Sequence, residues 1–153
     1  MKKLHHGFTL IEIILVIMII AIMTAIAIPA YQHYLTKARL AEVFSVASGL
    51  KPRIVESYFF KKTCPINNNG SNTFIVAPTA YATKIINDIT VATGTSGCDI
   101  IITIKNDAPV AAEVKGKIIN LQLISTNTPG AMAWQCVTTI PEPAKYLPAS
   151  CVN

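Results

Sequence analysis

The chain has 153 residues, room for one domain and an appended element. Its 52% hydrophobic content and mean hydropathy of +0.47 are high for a freely soluble protein, and much of the excess lies in the first thirty residues. The formal charge of +5, from 13 Lys and Arg against 8 Asp and Glu, permits contact with DNA or an acidic surface without predicting it, and loss of Lys2 and Lys3 alone would lower it to +3.

From Phe8 to Ile28 the chain runs apolar for 21 residues, broken only by Thr9, Glu12 and Thr24. As a helix this run spans roughly 30 Å, a full hydrocarbon core. A secretory signal peptide would explain the basic start and Ala25-Ile26-Ala27, but its apolar region is usually ~7–15 residues and carries no acid. A simple anchor, with Lys2 and Lys3 keeping the start in the cytoplasm, fits the topology and leaves Glu12 unexplained. A bare carboxylate in hydrocarbon costs roughly 2.5–3.5 kcal/mol even on the gentlest insertion scale.

Beyond Ile28 the helical pattern turns amphipathic, with Leu40, Phe44, Ala47, Ile54 and Tyr58 recurring at three- to four-residue steps. Pro29 removes a backbone bond and predicts a bend or a locally melted turn. Gly49 and Pro52 predict a second bend, giving an S-shaped helix from Phe8 to about Phe60. Residues 61–97 read as a helix-to-sheet loop, rich in Asn, Gly and Ser, and Asn69-Gly70-Ser71 reads as a plain turn despite matching a glycosylation sequon. Strand patterns follow at 98–106, 116–126 and 131–139, the last after the turn sequence Asn127-Thr128-Pro129-Gly130. They predict an antiparallel meander whose apolar face covers the amphipathic half of the helix.

Cys64, Cys98, Cys136 and Cys151 all follow the membrane-type segment, and an even count in an exported region reads as two disulfides. Pairing neighbours in sequence is simplest, but spacing alone leaves all three connectivities open. No CxxC spacing or Cys/His cluster suggests zinc, and Asp88, Asp99 and Asp107 stand too far apart in sequence for a calcium cage. No nucleophile, base and orienting group converge, and no Gly-rich phosphate loop occurs, so neither an enzyme nor a cofactor is expected.

A short basic leader ending in Gly7, then Phe8-Thr9-Leu10-Ile11-Glu12, an uninterrupted apolar helix, Pro29-Ala30-Tyr31 and Arg39 together resemble the N-terminus of type IV pilins, in particular the type IVa branch. Trp134, Cys136, Lys145, Tyr146, Pro148 and Cys151 resemble the disulfide-bounded C-terminal loop of the same family, at 136–151. The likeness is close over 1–44 and 131–151 and architectural between them. It implies an α+β pilin fold: a long N-terminal helix, its apolar half protruding, packed on an antiparallel meander of three to four strands.

It further implies a leader at 1–7, a helix at 8–60 with a membrane and fibre-core segment at 8–28, and a head at 61–153 whose sheet occupies 98–139. A prepilin peptidase is expected to cut between Gly7 and Phe8 and to N-methylate Phe8; glycine lets a protease approach the backbone closely. His5 and His6 would be discarded with the leader. Cutting exposes an α-amino group with an ordinary pKa near 7.7–8, roughly. Glu12 lies four residues on, so it can face that amine within one chain or, as the family is thought to do, meet the amine of another subunit and set axial register. The extra pair, Cys64 and Cys98, falls outside the minimal family pattern and is expected to tie the loop to the first strand.

The implied function is a structural subunit that polymerises through its N-terminal helix into a retractile surface fibre for adhesion, twitching motility or DNA uptake. Its expected partners are other pilin subunits, the prepilin peptidase/methyltransferase and the inner-membrane assembly machinery. It would begin as a single-pass inner-membrane protein with a periplasmic head and end in the extracellular fibre of a Gram-negative bacterium. A second reading is a minor pilin binding DNA through Lys61, Lys62, Lys105, Lys115, Lys117 and Lys145, by steeply salt-dependent phosphate contacts. A third, a type II secretion pseudopilin, fits the C-terminal cysteine pair less well.

Overall fold

In the computed structural model, residues 7–68, 75–95, 97–126, 131–140 and 145–151 are described, Ser150 by its backbone only. The leader histidines, Asn69-Gly70-Ser71 and the 127–130 turn lie outside them. One helix, α1 (Leu10–Lys61, 52 residues), begins with Glu12 in its first turn and closes with Lys61 in its last, each complementing the helix dipole. It runs through Pro29 and Pro52 without interruption, so the melted turn expected at Pro29 is absent from the single chain. A proline removes one backbone bond, and the bonds of the flanking turns keep the segment helical.

The chain divides into two compact units, Met1–Tyr34 and Leu35–Asn153. In the second, the helix buries Thr36, Leu40, Val43, Ala47, Leu50, Ile54 and Ser57, a strict alternation of four- and three-residue steps. That is a 3.5-residue repeat, which keeps one narrow stripe against its partner along the whole length. Phe44 and Tyr58, expected in the stripe, sit half-buried at its margins and pack on the same core.

The partner is a four-stranded antiparallel meander, β1 (Ile86–Thr93), β2 (Cys98–Ile104), β3 (Ile118–Ser125) and β4 (Met132–Thr138), in that spatial order. Ile89, Val91, Ile100, Ile102, Ile119, Leu121 and Leu123 fill the core with the helix stripe. The register Ile100↔Leu121↔Cys136 brings Cys136 of β4 onto this inner face. Gly116, between β2 and β3, takes φ +65°, where a side chain would be strained.

Strand β1 corrects the expectation of a loop over 61–97. Asn87 and Asp88 are poor strand formers and mask it in sequence. In the fold the register shifts between Ile86 and Asp88, and the Asp88 carboxylate accepts hydrogen bonds from Thr103 Oγ1 (3.2 Å) and Asn87 Nδ2 (2.6 Å). β1 is an edge strand, and its open side is covered by the fully buried Asn67. Asn67 Nδ2 donates to the Ile89 carbonyl (3.1 Å) and to that of Val76 (2.9 Å); Oδ1 accepts from the Val91 N–H (2.7 Å). One side chain thus takes the place of a fifth strand along part of an edge that would otherwise template pairing with another chain.

Two disulfides staple the head. Cys64–Cys98 (Cα–Cα 5.5 Å) ties the chain after the helix to the start of the strand expected from residue 98, which β1 makes the second, β2. Cys136–Cys151 (Cα–Cα 4.7 Å) bounds the C-terminal loop, where Tyr146 and Leu147 turn back into the core.

Candidate processing and assembly site

The N-terminal unit is built from residues that cannot satisfy one another. Gly7 is exposed, with open space where a Cβ would lie, and Phe8 is 77% exposed just ahead of the helix. A Gly–Phe bond in such a segment is open to a protease. Thr9 is the N-cap: its carbonyl accepts from the N–H groups of Glu12 (3.1 Å) and Ile13 (3.4 Å). Glu12 therefore occupies the third helical position, the acid's place in a Thr-x-x-Glu capping box.

Behind it every residue from Leu10 to Ile28 is exposed, and an 18-residue window of the helix averages a hydropathy of 3.0 with none of it buried. The helix is long and apolar enough to cross a membrane. Thr24 does not break the apolar character, because its Oγ1 donates to the carbonyls of Ile20 (2.9 Å) and Ala21 (3.0 Å). Only the Glu12 carboxylate is left over, with no described residue pairing with it.

Comparison with known proteins matches this arrangement at both ends. The model of the prokaryotic N-terminal methylation motif fits residues 2–28, and that of pilin, a bacterial filament protein, fits residues 36–152. The fimbrial protein EcpC of Eikenella corrodens is 38% identical over all of this chain and 94% of its own length. The type IV major fimbrial protein FimA of Dichelobacter nodosus is 34% identical, over 99% of this chain and 98% of its own. The type IV major pilin PilE of Neisseria gonorrhoeae is 30% identical, over 95% and 81%. The chain belongs to the type IV pilin family.

Within this pilin the six lysines considered for DNA do not form one strip. Lys105, Lys115 and Lys117 gather at the β2–β3 connection, where Gly116 N–H donates to the Lys105 carbonyl (3.4 Å) and Ile104 N–H to that of Lys117 (3.0 Å). Lys61 and Lys62 lie at the helix end, beside the start of β2. The two groups are separated by the length of β2, roughly 20 Å at 3.3 Å per residue. Lys145 stands in the C-terminal loop, its Nζ 5.6 Å from the Tyr146 ring centroid. Trp134 lies under Lys51 Nζ (5.6 Å), which fixes the ring against the helix.

Sequence reasoning missed two features of this pilin. Asn67 gave no signal apart from its Asn-rich surroundings, because its role depends on which strand lies beside it. The capping arrangement could have been found from Thr9 and Glu12, which stand at the required spacing ahead of an apolar run.

Proposed function

We propose that this chain is the structural subunit of a type IV pilus, held in the inner membrane by residues 8–28 and then polymerised through the same residues into an extracellular fibre. The observation that carries the reading is the exposure of the entire apolar run, including Phe8 (77%), Leu10 (78%) and Ile11 (74%). Fully burying an aliphatic or aromatic side chain is worth about 1.5–3 kcal/mol, so such a run must lie in lipid or among copies of itself.

In this reading the prepilin peptidase cuts Gly7–Phe8 and methylates Phe8, and the new ammonium of an incoming subunit meets Glu12 of a docked one. Removing the leader creates the charge that makes the acid tolerable. Burial supplies adhesion and the ion pair supplies register, since buried pairs specify more than they stabilise. Pro29 is where the helix would unwind inside the fibre, giving extensibility. Retraction, adhesion and twitching follow as uses of that fibre on a Gram-negative cell. The separation of the lysines into distinct groups gives no support to a dedicated DNA-binding role.

Mass spectrometry of purified surface fibres tests the reading. The dominant protein should begin at Phe8, heavier by one methyl group. A chain that keeps residues 1–7, one that begins after Ala27, or one present only in trace amounts would overturn it.

A further inference from the structure

Lys62 follows the helix in a left-handed conformation (φ 56°), the only non-glycine with positive φ among the described residues. Its N–H donates to the Tyr58 carbonyl (2.9 Å), closing the helix as a left-handed cap. Glycine takes this position at no steric cost, whereas a lysine is held there against its preference. Strain of this kind marks a side chain whose placement matters. The Nζ atom lies 4.8 Å from the Phe59 ring centroid, which steadies the charge without neutralising it.

This lysine borders an open cleft of about 490 Å³, within the size range of small-molecule sites. Tyr58 and Thr63 line it from the helix side, together with Thr93 at the end of β1 and Gly94 and Thr95 just after it. Cys64 also lines the cleft, and its disulfide to Cys98 ties the chain after the helix to the start of β2, next to the lining residue Gly97. Among the described lining residues there is no acid; the nearby Asp99 carboxylate, against Gly94, already accepts from Asn120 Nδ2 (3.1 Å) and Gln122 Nε2 (3.3 Å), and no described acid pairs with Lys62. The lining therefore offers one cation, several hydroxyls and a half-buried aromatic ring.

We propose that this cleft binds an acidic saccharide, its carboxylate or sulfate on Lys62, its hydroxyls on the threonines and a ring face against Tyr58. The shared chemistry with a free oxyanion is the Lys62 contact, and the hydroxyl wall separates the two. The proposal is independent of fibre assembly, and its readout is binding by the unassembled chain.

Titrate the full chain in detergent micelles, by calorimetry, with 3′-sialyllactose, lactose, inorganic sulfate and a single-stranded oligonucleotide. Sialyllactose should bind, with lactose and sulfate each at least about tenfold weaker, the loss expected when a charge-assisted contact or the hydroxyl contacts are missing. Lys62→Gly should lose at least about tenfold in sialyllactose affinity while its melting temperature stays the same or rises, because glycine relieves the strained backbone. Lys61→Ala should bind as the parent does. Unchanged binding by Lys62→Gly overturns the proposal, as does equal loss in Lys61→Ala. Sulfate binding as tightly as the sugar leaves only an anion site, and tighter oligonucleotide binding makes the ligand a nucleic acid; either result rejects the saccharide.

Discussion

Replacing Glu12 with glutamine separates the two roles that its position allows. Glutamine serves the third position of a capping box as well as glutamate does, so helix initiation at Thr9 is retained. The lost interaction with the helix dipole is only about 0.3–1 kcal/mol, and the apolar run recovers part of the roughly 2.5–3.5 kcal/mol that a charge costs on insertion, the rest being kept by the polar amide. Membrane levels of Glu12→Gln should therefore equal or exceed those of the parent, with Gly7–Phe8 cleaved normally. Assembly should fail. A carboxylate and an ammonium about 4 Å apart at an effective dielectric near 20 attract by about 4 kcal/mol before desolvation is counted. If half of that survives, each subunit addition weakens about thirtyfold, and the amine of the incoming chain is left buried without a partner. The assay compares sheared surface fibres with the membrane pool by immunoblot, and mass spectrometry follows leader removal. Fibres at parental yield would refute the charge pair and leave the capping role as the whole account of Glu12.

Other perturbations test the head. Asn67→Ala removes three side-chain hydrogen bonds, two of them buried, and strips part of the β1 edge, so urea unfolding should show a loss of roughly 3–5 kcal/mol; a loss below about 1 kcal/mol would mean that water replaces the amide. Removing the Cys136–Cys151 bridge, with a sequence separation of 15, should cost roughly 3 kcal/mol, and removing Cys64–Cys98, with a separation of 34, roughly 4 kcal/mol. Thermal melts of the paired Cys→Ser variants check the order, and a larger loss from the shorter loop would show that local packing outweighs chain entropy.

The sequence was legible wherever one residue's environment is set by its neighbours along the chain. The apolar run, the acid within it, the helix stripe through Leu40, Ala47 and Ile54, and strands β2 to β4 all carry their periodicity in the residues themselves. Strand β1 was not legible, because Asn87 and Asp88 obey the local preference for turns. Their place in a strand is settled by Thr103 on β2 and by a register shift that only the assembled sheet creates. Lys62 illustrates the opposite failure: nothing about a lysine beside another lysine announces a left-handed backbone, and glycine, the usual signal, is absent. The six lysines of the DNA reading were legible as charges but not as positions, and position divides them.

The same helix carries two patterns that need different hosts. From Thr36 to Ser57 its stripe narrows to a 3.5-residue repeat, which a single sheet can cover, and the head closes around it within one chain. From Leu10 to Ile28 the apolar residues surround the helix, and no single face could bury them. Hydrophobicity cannot choose between the two hosts open to that segment, since lipid tails and neighbouring helices are equally apolar. The choice has to come from a group that one host satisfies and the other does not. In the proposed assembly the only cation at the Glu12 carboxylate's depth in lipid is the Phe8 ammonium of its own chain, whereas a second subunit cut at Gly7–Phe8 brings another. In the proposed assembly, transfer from membrane to fibre is then driven less by apolar burial than by the one side chain that burial disfavours.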